Sequence, residues 1–308
     1  MAKPRLLNTH SKKWESYKLF LYVLPCLIFI FIFKYLPLWG WSYAFFQYKP
    51  GRSLFDCAFV GLQNFTALFG NPIMRDNLLR VLRNTFGIQL LNYLLMPVPM
   101  LFAIFLSEIK STKFQKAVQT LTTLPHFISW VIMFSLATSL FGNSGVVNSV
   151  LARFGAEGIN ILTTNSHVWL IQALLGLWKS LGWSAIIYFA AITGLDQEVY
   201  EAAMVDGASR WQKIRYITIP LLIPTFFVLL IMGIGNFLNS GIDQFLAFGN
   251  AMNKEYIEVL DLYVYNLGIG NGQISFSVAV GMMKSLVAVV LFACANFASK
   301  KIRGTSVF

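Results

Sequence analysis

The sequence predicts an all-α protein that crosses a membrane six times, and three observations support this prediction. Hydrophobic residues make up 56% of the 308 residues and charged residues only 12%, about half the charge of a typical globular domain. Six apolar runs are long enough to span a bilayer, which takes about 20 residues per helix. All 13 acidic residues lie outside these runs, as expected because a carboxylate at the bilayer centre costs about 2.5–3.5 kcal/mol.

The first run follows a basic stretch, but it is too long for the core of a cleaved signal peptide and lacks a small-residue cleavage site. We therefore expect an uncleaved membrane helix there. The third and fifth runs are short. Glycines and prolines within the runs are compatible with membrane helices, because neighbouring segments can satisfy the freed backbone groups. The six helices are predicted at residues 19–41, 82–106, 125–141, 167–192, 219–237 and 274–297.

Basic residues predict the orientation of the chain. One set of segments between the runs holds 14 Lys and Arg residues and the alternate set holds 6. Lys and Arg collect on the cytoplasmic side of membrane proteins, so we expect both termini and the loop 193–220 in the cytoplasm. The net charge of +11 does not indicate nucleic-acid binding, because the basic residues form clusters between apolar runs and not one face.

Residues 1–308 show no domain boundary and no internal repeat, and we expect a single membrane domain with its core at about 82–297. On the predicted outer side, an amphipathic stretch places four apolar residues on one helical face, which predicts a helix lying in the membrane interface. These are Leu62, Phe65, Leu68 and Phe69. The segment 142–166 is predicted to be an external loop with a short helix.

Metal and disulfide chemistry are not indicated. Cys26, Cys57 and Cys294 are spaced like no metal site and no disulfide framework. The three histidines are scattered, and the apolar runs contain no paired carboxylates.

The loop 193–220 predicts two short helices joined by a turn. Asp196 is a suitable N-cap for the first, and Asp206-Gly207 is a turn signal because glycine adopts positive φ. Ser209 can cap the second helix, which we expect Pro220 to end.

This loop closely resembles the EAA signature of the permease subunits of ABC importers. The signature is a Glu-Ala-Ala triplet, a glycine and an apolar-x-apolar-Pro ending, and the matching residues are Glu201, Ala202, Ala203, Gly207, Ile217, Ile219 and Pro220. Two positions depart from the common pattern. Ile214 stands where an aromatic residue is common and Ile219 where Leu is common, and both substitutions preserve an apolar side chain for contact. Residues 61–69 and 124–130 resemble the polysaccharide or oligosaccharide branch of sugar permeases.

The resemblance implies the type I ABC importer permease fold in a bacterial plasma membrane. In that family the loop docks on a separate ATPase, so Glu201 to Gly207 should enter the ATPase cleft and Ile214 to Pro220 should pack back onto the membrane domain. The candidate coupling residues are Glu201, Ala202, Ala203, Asp206, Gly207, Ala208, Ile214, Ile219 and Pro220.

The resemblance also implies partners and an alternating-access mechanism. Two ATPase subunits would bind ATP and Mg, a second homologous permease would complete a heterodimer, and an extracellular lipoprotein would deliver the sugar. The chain itself has no G-x-x-x-x-G-K-[ST] phosphate-binding loop. We therefore expect no cofactor in this chain, no metal and no enzyme activity of its own.

The helices on either side of the loop are candidates for the substrate pathway. Gly176, Lys179, Ser180 and Trp183 share one face, where Trp could stack on a sugar ring and Lys and Ser could bind its hydroxyls. Gly233, Asn236, Phe237 and Ser240 share a face of the helix after the loop. The alternative for both sets is helix packing by small and amide residues, with Lys179 extending towards the membrane surface.

Lys179 and Lys284 are cations within apolar runs, and the runs contain no acid. A charged residue within a membrane segment usually pairs with an opposite charge or lines a substrate pathway. This pattern suggests an acidic partner residue or an acidic substrate, such as an oligosaccharide that carries uronate.

Other classes remain open at this stage. An ion-coupled secondary transporter would normally carry acidic residues in the membrane and two repeats, and a membrane enzyme would need clustered catalytic residues. Within the ABC class, a permease for an amino acid, a metal or another non-sugar solute is the nearest alternative.

Overall fold

The computed structural model describes residues 9–159, 161–162, 165 and 167–303. Within these residues the regular structure is helical, apart from one isolated β-bridge between Phe46 and Phe59. The α-helices in chain order are α1 (Thr9–Ile30), α2 (Gln63–Gly70), α3 (Pro72–Leu95), α4 (Pro97–Ser107), α5 (Thr112–Thr123), α6 (Trp130–Phe141), α7 (Val146–Arg153), α8 (Val168–Thr193), α9 (Gln197–Val205), α10 (Arg210–Lys213), α11 (Ile219–Gly235), α12 (Asp243–Phe248), α13 (Lys254–Ile257), α14 (Leu260–Tyr265) and α15 (Ile274–Arg303).

Six helical segments of the described chain are long and apolar enough to cross a membrane, which confirms the predicted number. The second crossing begins earlier than expected, because the Asn71 side chain caps α3 and accepts a hydrogen bond from the amide of Ile73 at 3.0 Å. The six segments are Tyr17–Phe45, Pro72–Ser107, Trp130–Arg153, Val168–Thr193, Arg210–Gly235 and Ile274–Phe297.

The first crossing stands apart from the rest of the chain. No residue in its most apolar 18-residue window is buried within the structure. α1 continues through a π-helical turn, Phe31–Tyr35, into a 3-10 helix, Leu36–Phe45, and it is this last part that packs against α15. The remainder exposes aromatic and aliphatic side chains that lipid or another protein must cover.

α5 and α6 form a broken helix, and only its second part, from Trp130, belongs to the third apolar segment, which starts later than the predicted residue 125. A Cβ atom added to Gly182 would lie 2.4 Å from the carbonyl carbon and oxygen of Thr122, so α5 packs directly on α8. α8 has 26 residues and is about 39 Å long, with Gly182 near its centre. The end of α5 therefore packs on the middle of α8 although none of the α5 residues is buried, and its lysines and threonines make it too polar to resemble a membrane helix.

The second helix of the loop does not end at Pro220, contrary to the sequence prediction. α10 continues through a π-helical turn, Ile214–Thr218, directly into α11. A proline inside a helix removes one hydrogen bond and clashes with the preceding turn, and the wider π turn just before Pro220 accommodates both effects. The loop is thus connected rigidly to the fifth crossing.

The bundle has two ends, which we call the loop end and the cap end. α8 leads at its carboxyl terminus into the loop 193–220, and at its amino terminus Val168 belongs to a buried cluster with residues from 243–262. We define the cap as residues 236–273, which contain α12 to α14. Phe245, Phe248 and Ile257 of the cap insert between α3, α6 and α8.

Polar contacts fasten the cap to α3. Arg80 donates to the carboxylate of Glu258 at 2.7 Å, and the Glu258 side chain is 3% exposed. The fully buried Asn84 amide donates to the carbonyls of Glu255 and Glu258 at 2.8 and 3.1 Å. Burial, with a smaller contribution from Glu258, raises the pKa of Tyr263, and Arg80 partly offsets the rise.

The predicted outer amphipathic helix exists as α2, but its apolar face does not point only at lipid. Leu68 is fully buried in a cluster with Val81 of α3 and Leu260 of the cap. Leu62 and Phe69 remain more than half exposed. α2 therefore contacts the protein core on one side and leaves the other side to the membrane interface.

Candidate functional site

The loop 193–220 presents its first helix to the outside of the bundle. The Asp196 carboxylate caps α9 and accepts from the amide of Glu198 at 3.0 Å. Glu201 and Ala202 are exposed, and Ala203 is half-buried. Val205 is 89% exposed, so the end of α9 carries an uncovered apolar surface suited to a protein partner.

A tight turn separates the two helices of the loop, as the sequence predicts. Gly207 has φ +77°, a conformation that glycine adopts without strain, and its amide donates to the carbonyl of Met204 at 3.1 Å. Asp206 is exposed and Ala208 half-buried in this turn. Ser209 then caps α10 through reciprocal hydrogen bonds with Gln212 at 2.7 and 3.3 Å.

The second half of the loop packs onto the bundle. Ile214 is 6% exposed and lies in a cluster with Tyr188 of α8 and Leu222 of α11, and Ile219 packs against the same cluster. The hydroxyl oxygens of Tyr200 and Thr218 are 2.9 Å apart. The loop therefore has an exposed half at Glu201 to Gly207 and a half at Ile214 to Pro220 that is anchored in the bundle.

A cavity of about 500 Å³ opens in the bundle between α3, α4, α8 and α11. It contains Gly176, Ser180 and Trp183 of the predicted pathway. It also contains Asn92, Ser184 and Tyr188, which sequence reasoning missed although each is a polar group within an apolar run. All of the described side chains that line the cavity are uncharged.

Trp183 forms an aromatic wall that is supported from behind. The His126 ring stacks on it with centroids 4.5 Å apart and planes inclined by 3°. Phe127 meets the same indole edge-on at 5.9 Å. Trp183 is still 47% exposed, so it retains surface for a ligand.

The Tyr188 hydroxyl has no hydrogen-bond partner among the described residues, although it is buried. Tyr188 is 2% exposed, and buried polar groups without a partner are rare. Tyr188 lines the cavity, but its hydroxyl oxygen is enclosed by the protein, so a ligand or water reaches this hydroxyl only if the cavity wall moves.

The second predicted wall does not line the cavity. α11 ends at Gly235, so Asn236, Phe237 and Ser240 lie beyond the helix. Phe237 packs against Phe86 and Tyr93 of α3, with centroids 4.9 and 5.5 Å apart. Ser240 contacts the Gln89 amide at 3.4 Å, and a Cβ atom added to Gly233 would lie 3.2 Å from the Tyr93 ring. These contacts correspond to the alternative reading of this face as helix packing.

Lys179 and Lys284 both have partners inside the chain. The Lys179 ammonium donates to the carbonyls of Pro125, His126 and Ile128 at the break of the third crossing. Lys284 forms an ion pair with Asp261 of the cap. Asp261 is an acidic partner residue, one of the two alternatives suggested by the sequence, and it reaches Lys284 because the cap folds back onto α15.

Asp261 also joins the end of α11 to this ion pair. Its second carboxylate oxygen accepts from the amides of Ser240 and Gly241 at 2.8 and 3.2 Å. Neither lysine lines the cavity. The charges that suggested an acidic substrate are thus satisfied by the protein itself.

Metal-binding geometry is not found within the described ranges, where no three His, Cys, Asp or Glu residues cluster. The three cysteines are free thiols.

The chain is similar to a family of membrane transport proteins and to individual proteins of known name. Residues 87–304 match the family described as "Binding-protein-dependent transport system inner membrane component". The chain is 40% identical to the polygalacturonan/rhamnogalacturonan transport system permease protein YteP of Bacillus subtilis (strain 168), over 92% of this chain and 88% of that protein. It is 37% identical to Protein LplB of the same organism, over 94% and 89% of the two chains.

Solved structures give the same picture. A chain from a bacterial ABC transporter involved in the import of the acidic polysaccharide alginate superposes with a TM-score of 0.82 at 32% identity, covering 96% of this chain and 99% of that one. A chain from a bacterial alginate ABC transporter in complex with an alginate pentasaccharide-bound periplasmic protein gives 0.83 at 33% identity, over 99% and 100%.

Proposed function

We propose that this chain, which belongs to the family of binding-protein-dependent transport system inner membrane components, is the permease subunit of an ATP-driven importer of acidic oligosaccharides. The observation that carries the proposal is the position of Tyr188. Tyr188 lines the cavity and has a buried hydroxyl without a partner among the described residues, and it also belongs to the cluster that holds Ile214 of the loop. One side chain thus links a binding cavity to the predicted ATPase contact.

The cavity chemistry supports a sugar as the substrate. An indole face can cover the apolar side of a pyranose ring, and hydroxyl and amide groups such as Ser180, Ser184 and Asn92 can bind sugar hydroxyls. Two relatives support the acidic class by name, since one transports polygalacturonan or rhamnogalacturonan and another imports the acidic polysaccharide alginate.

The proposed mechanism is alternating access. ATP binding by two partner ATPase subunits moves α9, and the rigid connection from the π-helical turn Ile214–Thr218 into α11 passes this movement to the cavity. A lipoprotein binding protein delivers the oligosaccharide at the cap end. This assignment puts the loop end, both termini and the exposed residues Glu201 to Gly207 on the cytoplasmic side.

We propose a second, homologous permease as the partner that covers α1. The apolar side chains of the first crossing are largely exposed over Tyr17–Phe45, and its main contact with α15 is made by the 3-10 helix. A heterodimer would give the cavity a second wall, since Trp183 is 47% exposed.

Uptake by the reconstituted complex tests the proposal. Proteoliposomes containing this chain, its partner permease and the ATPase are given the binding protein and radiolabelled oligogalacturonate. We expect uptake that requires ATP and is competed by unlabelled oligogalacturonate more strongly than by arabino-oligosaccharide. Uptake driven by an ion gradient without ATP would overturn the proposal, and preferential uptake of the neutral sugar would overturn the acidic substrate class.

A further inference from the structure

The Lys179 side chain uses all of its donors on the backbone of the third crossing. A lysine ammonium has three N–H groups. Its nitrogen lies 3.1 Å from the carbonyl oxygen of Pro125 and 2.8 Å from that of His126, and it also donates to the carbonyl of Ile128. No donor is left for a substrate carboxylate.

The break leaves the carbonyls of His126 and Ile128 without backbone partners among the described residues, whereas the Pro125 carbonyl also accepts from the amide of Ile128 at 3.2 Å. α5 ends at Thr123, and Ile128 is extended, with ψ 134°. An unsatisfied backbone group inside a membrane costs several kcal/mol, so the break would be unfavourable without a donor. The ammonium also lies 5.4 Å from the centre of the Trp130 ring, at the start of α6, where a cation–π contact adds stabilisation.

Two other residues of the same turn of α8 contact the chain at the break between α5 and α6. Gly182 contacts the backbone of Thr122, and Trp183 stacks on the His126 ring. Lys179 and Trp183 are four residues apart and therefore share a helical face. His126 is thus held twice, by its carbonyl on Lys179 and by its ring on Trp183.

We propose that Lys179 is a positioning residue for the transport cavity. It fixes the broken third helix in the register that places His126 behind Trp183, and so it orients the aromatic wall that meets the sugar. The kinetic part of this inference rests on the proposed function. The structural part, that Lys179 holds the segment 124–130 in place, does not.

Substrate kinetics separate positioning from direct binding. The Lys179→Met complex is compared with wild type for uptake of oligogalacturonate and of its carboxyl-reduced, neutral counterpart. We expect KM to rise by the same factor for both substrates, roughly 2- to 10-fold as for loss of an aromatic pair, with Vmax retained. A rise confined to the acidic substrate would show that Lys179 binds the carboxylate and would overturn the proposal.

A double-mutant cycle with Trp183 tests the route of action. Because Lys179 acts through Trp183, the Lys179→Met/Trp183→Ala complex should be no worse than Trp183→Ala alone. Independent, multiplying losses would contradict this. A fall in Vmax and in inserted protein at unchanged KM would mean that Lys179 only supports folding.

Hydrogen exchange tests the structural part without any substrate. In the full complex, Lys179→Met should speed deuterium uptake in peptides covering 124–130, whereas Lys284→Met/Asp261→Asn, which removes the ion pair between α15 and the cap without leaving an unpaired charge, should leave them unchanged. Unaltered exchange in both variants would overturn the proposal even if transport failed. Wild-type complex that moves neither sugar would instead refute the proposed function.

Discussion

The hydroxyl oxygens of Tyr200 and Thr218 lie 2.9 Å apart and join the two halves of the loop. Tyr200 belongs to α9, whose neighbouring Glu201 and Ala202 are exposed. Thr218 is 4% exposed and ends the π-helical turn that leads into α11. A displacement of α9 can therefore be transmitted to the fifth crossing both through this hydrogen bond and through the covalent backbone.

Tyr200→Phe should weaken the coupling between ATP hydrolysis and transport. A hydrogen bond of this kind contributes about 0.5–1.5 kcal/mol, so we expect the stimulation of ATPase activity by loaded binding protein to fall roughly 2- to 10-fold. The measurement is ATPase activity in proteoliposomes with and without loaded binding protein. Thr218→Val in the same background should add little, since it removes only the long 3.4 Å hydrogen bond from Thr218 to the carbonyl of Lys213 in addition, and a full additive loss would mean that the two hydroxyls act separately.

Gly207→Pro should abolish ATP-coupled uptake and leave the chain inserted. Proline fixes φ at about −65°, whereas Gly207 has φ +77°. The substitution also removes the amide hydrogen that Gly207 donates to the carbonyl of Met204. Radiolabelled uptake and the amount of protein in the membrane are measured together.

Gly155→Pro is the matched control. Gly155 has φ +71°, and its amide donates to Ala152 at 3.1 Å, as the Gly207 amide does to Met204. It lies outside the loop, so this variant should transport. Uptake by the Gly207 variant would place the ATPase contact elsewhere.

Lys284→Met should destabilise the protein more than the double change Lys284→Met/Asp261→Asn. Removing one partner of a buried ion pair costs about 3–5 kcal/mol because it leaves an unpaired charge, and less is expected here since the side chains are 14% and 15% exposed. Asn keeps acceptor capacity for the amides of Ser240 and Gly241. Thermal unfolding in detergent gives the order of Tm values, and a double variant below the single one would contradict the explanation.

Tyr188→Phe should reduce substrate affinity without reducing stability. The hydroxyl has no partner in the described chain, so its removal costs no internal hydrogen bond, while a sugar that binds it once the cavity wall has moved loses one. We expect a higher KM, roughly 2- to 10-fold for one hydrogen bond, at an unchanged or higher Tm. Tyr263→Phe, a buried tyrosine of the cap, is the control whose uptake should stay at the wild-type level.

Local patterns in the sequence predicted the features that depend on local physics. The six crossings follow from apolar length, and the turn at Gly207 follows from a residue that tolerates positive φ. The third apolar segment starts at Trp130, later than predicted, and the packing of the polar α5 on Gly182 is a contact that no hydropathy average contains.

The partners of Lys179 and Lys284 could not be predicted from the sequence, for two different reasons. Lys284 pairs with Asp261, which lies in a segment whose composition predicts a solvated loop, and only the folding of the cap brings it to α15. Lys179 binds backbone carbonyls. Every residue has a carbonyl group, so the sequence gives no signal of which carbonyls will bind the lysine. The acidic-substrate hypothesis therefore loses its original reason and now depends on the named relatives.

The contacts of the cap also constrain the order of assembly. Arg80 and Glu258 are separated by 178 residues, and Asp261 meets Lys284 in the helix that follows the cap. Contacts between distant residues form late, so the cap can take its native structure only after helices on both sides of it have entered the bilayer. A folded cap is therefore a signature of a fully inserted chain, and a misassembled chain would display an open, protease-sensitive segment at that end, where quality-control proteases could recognise it.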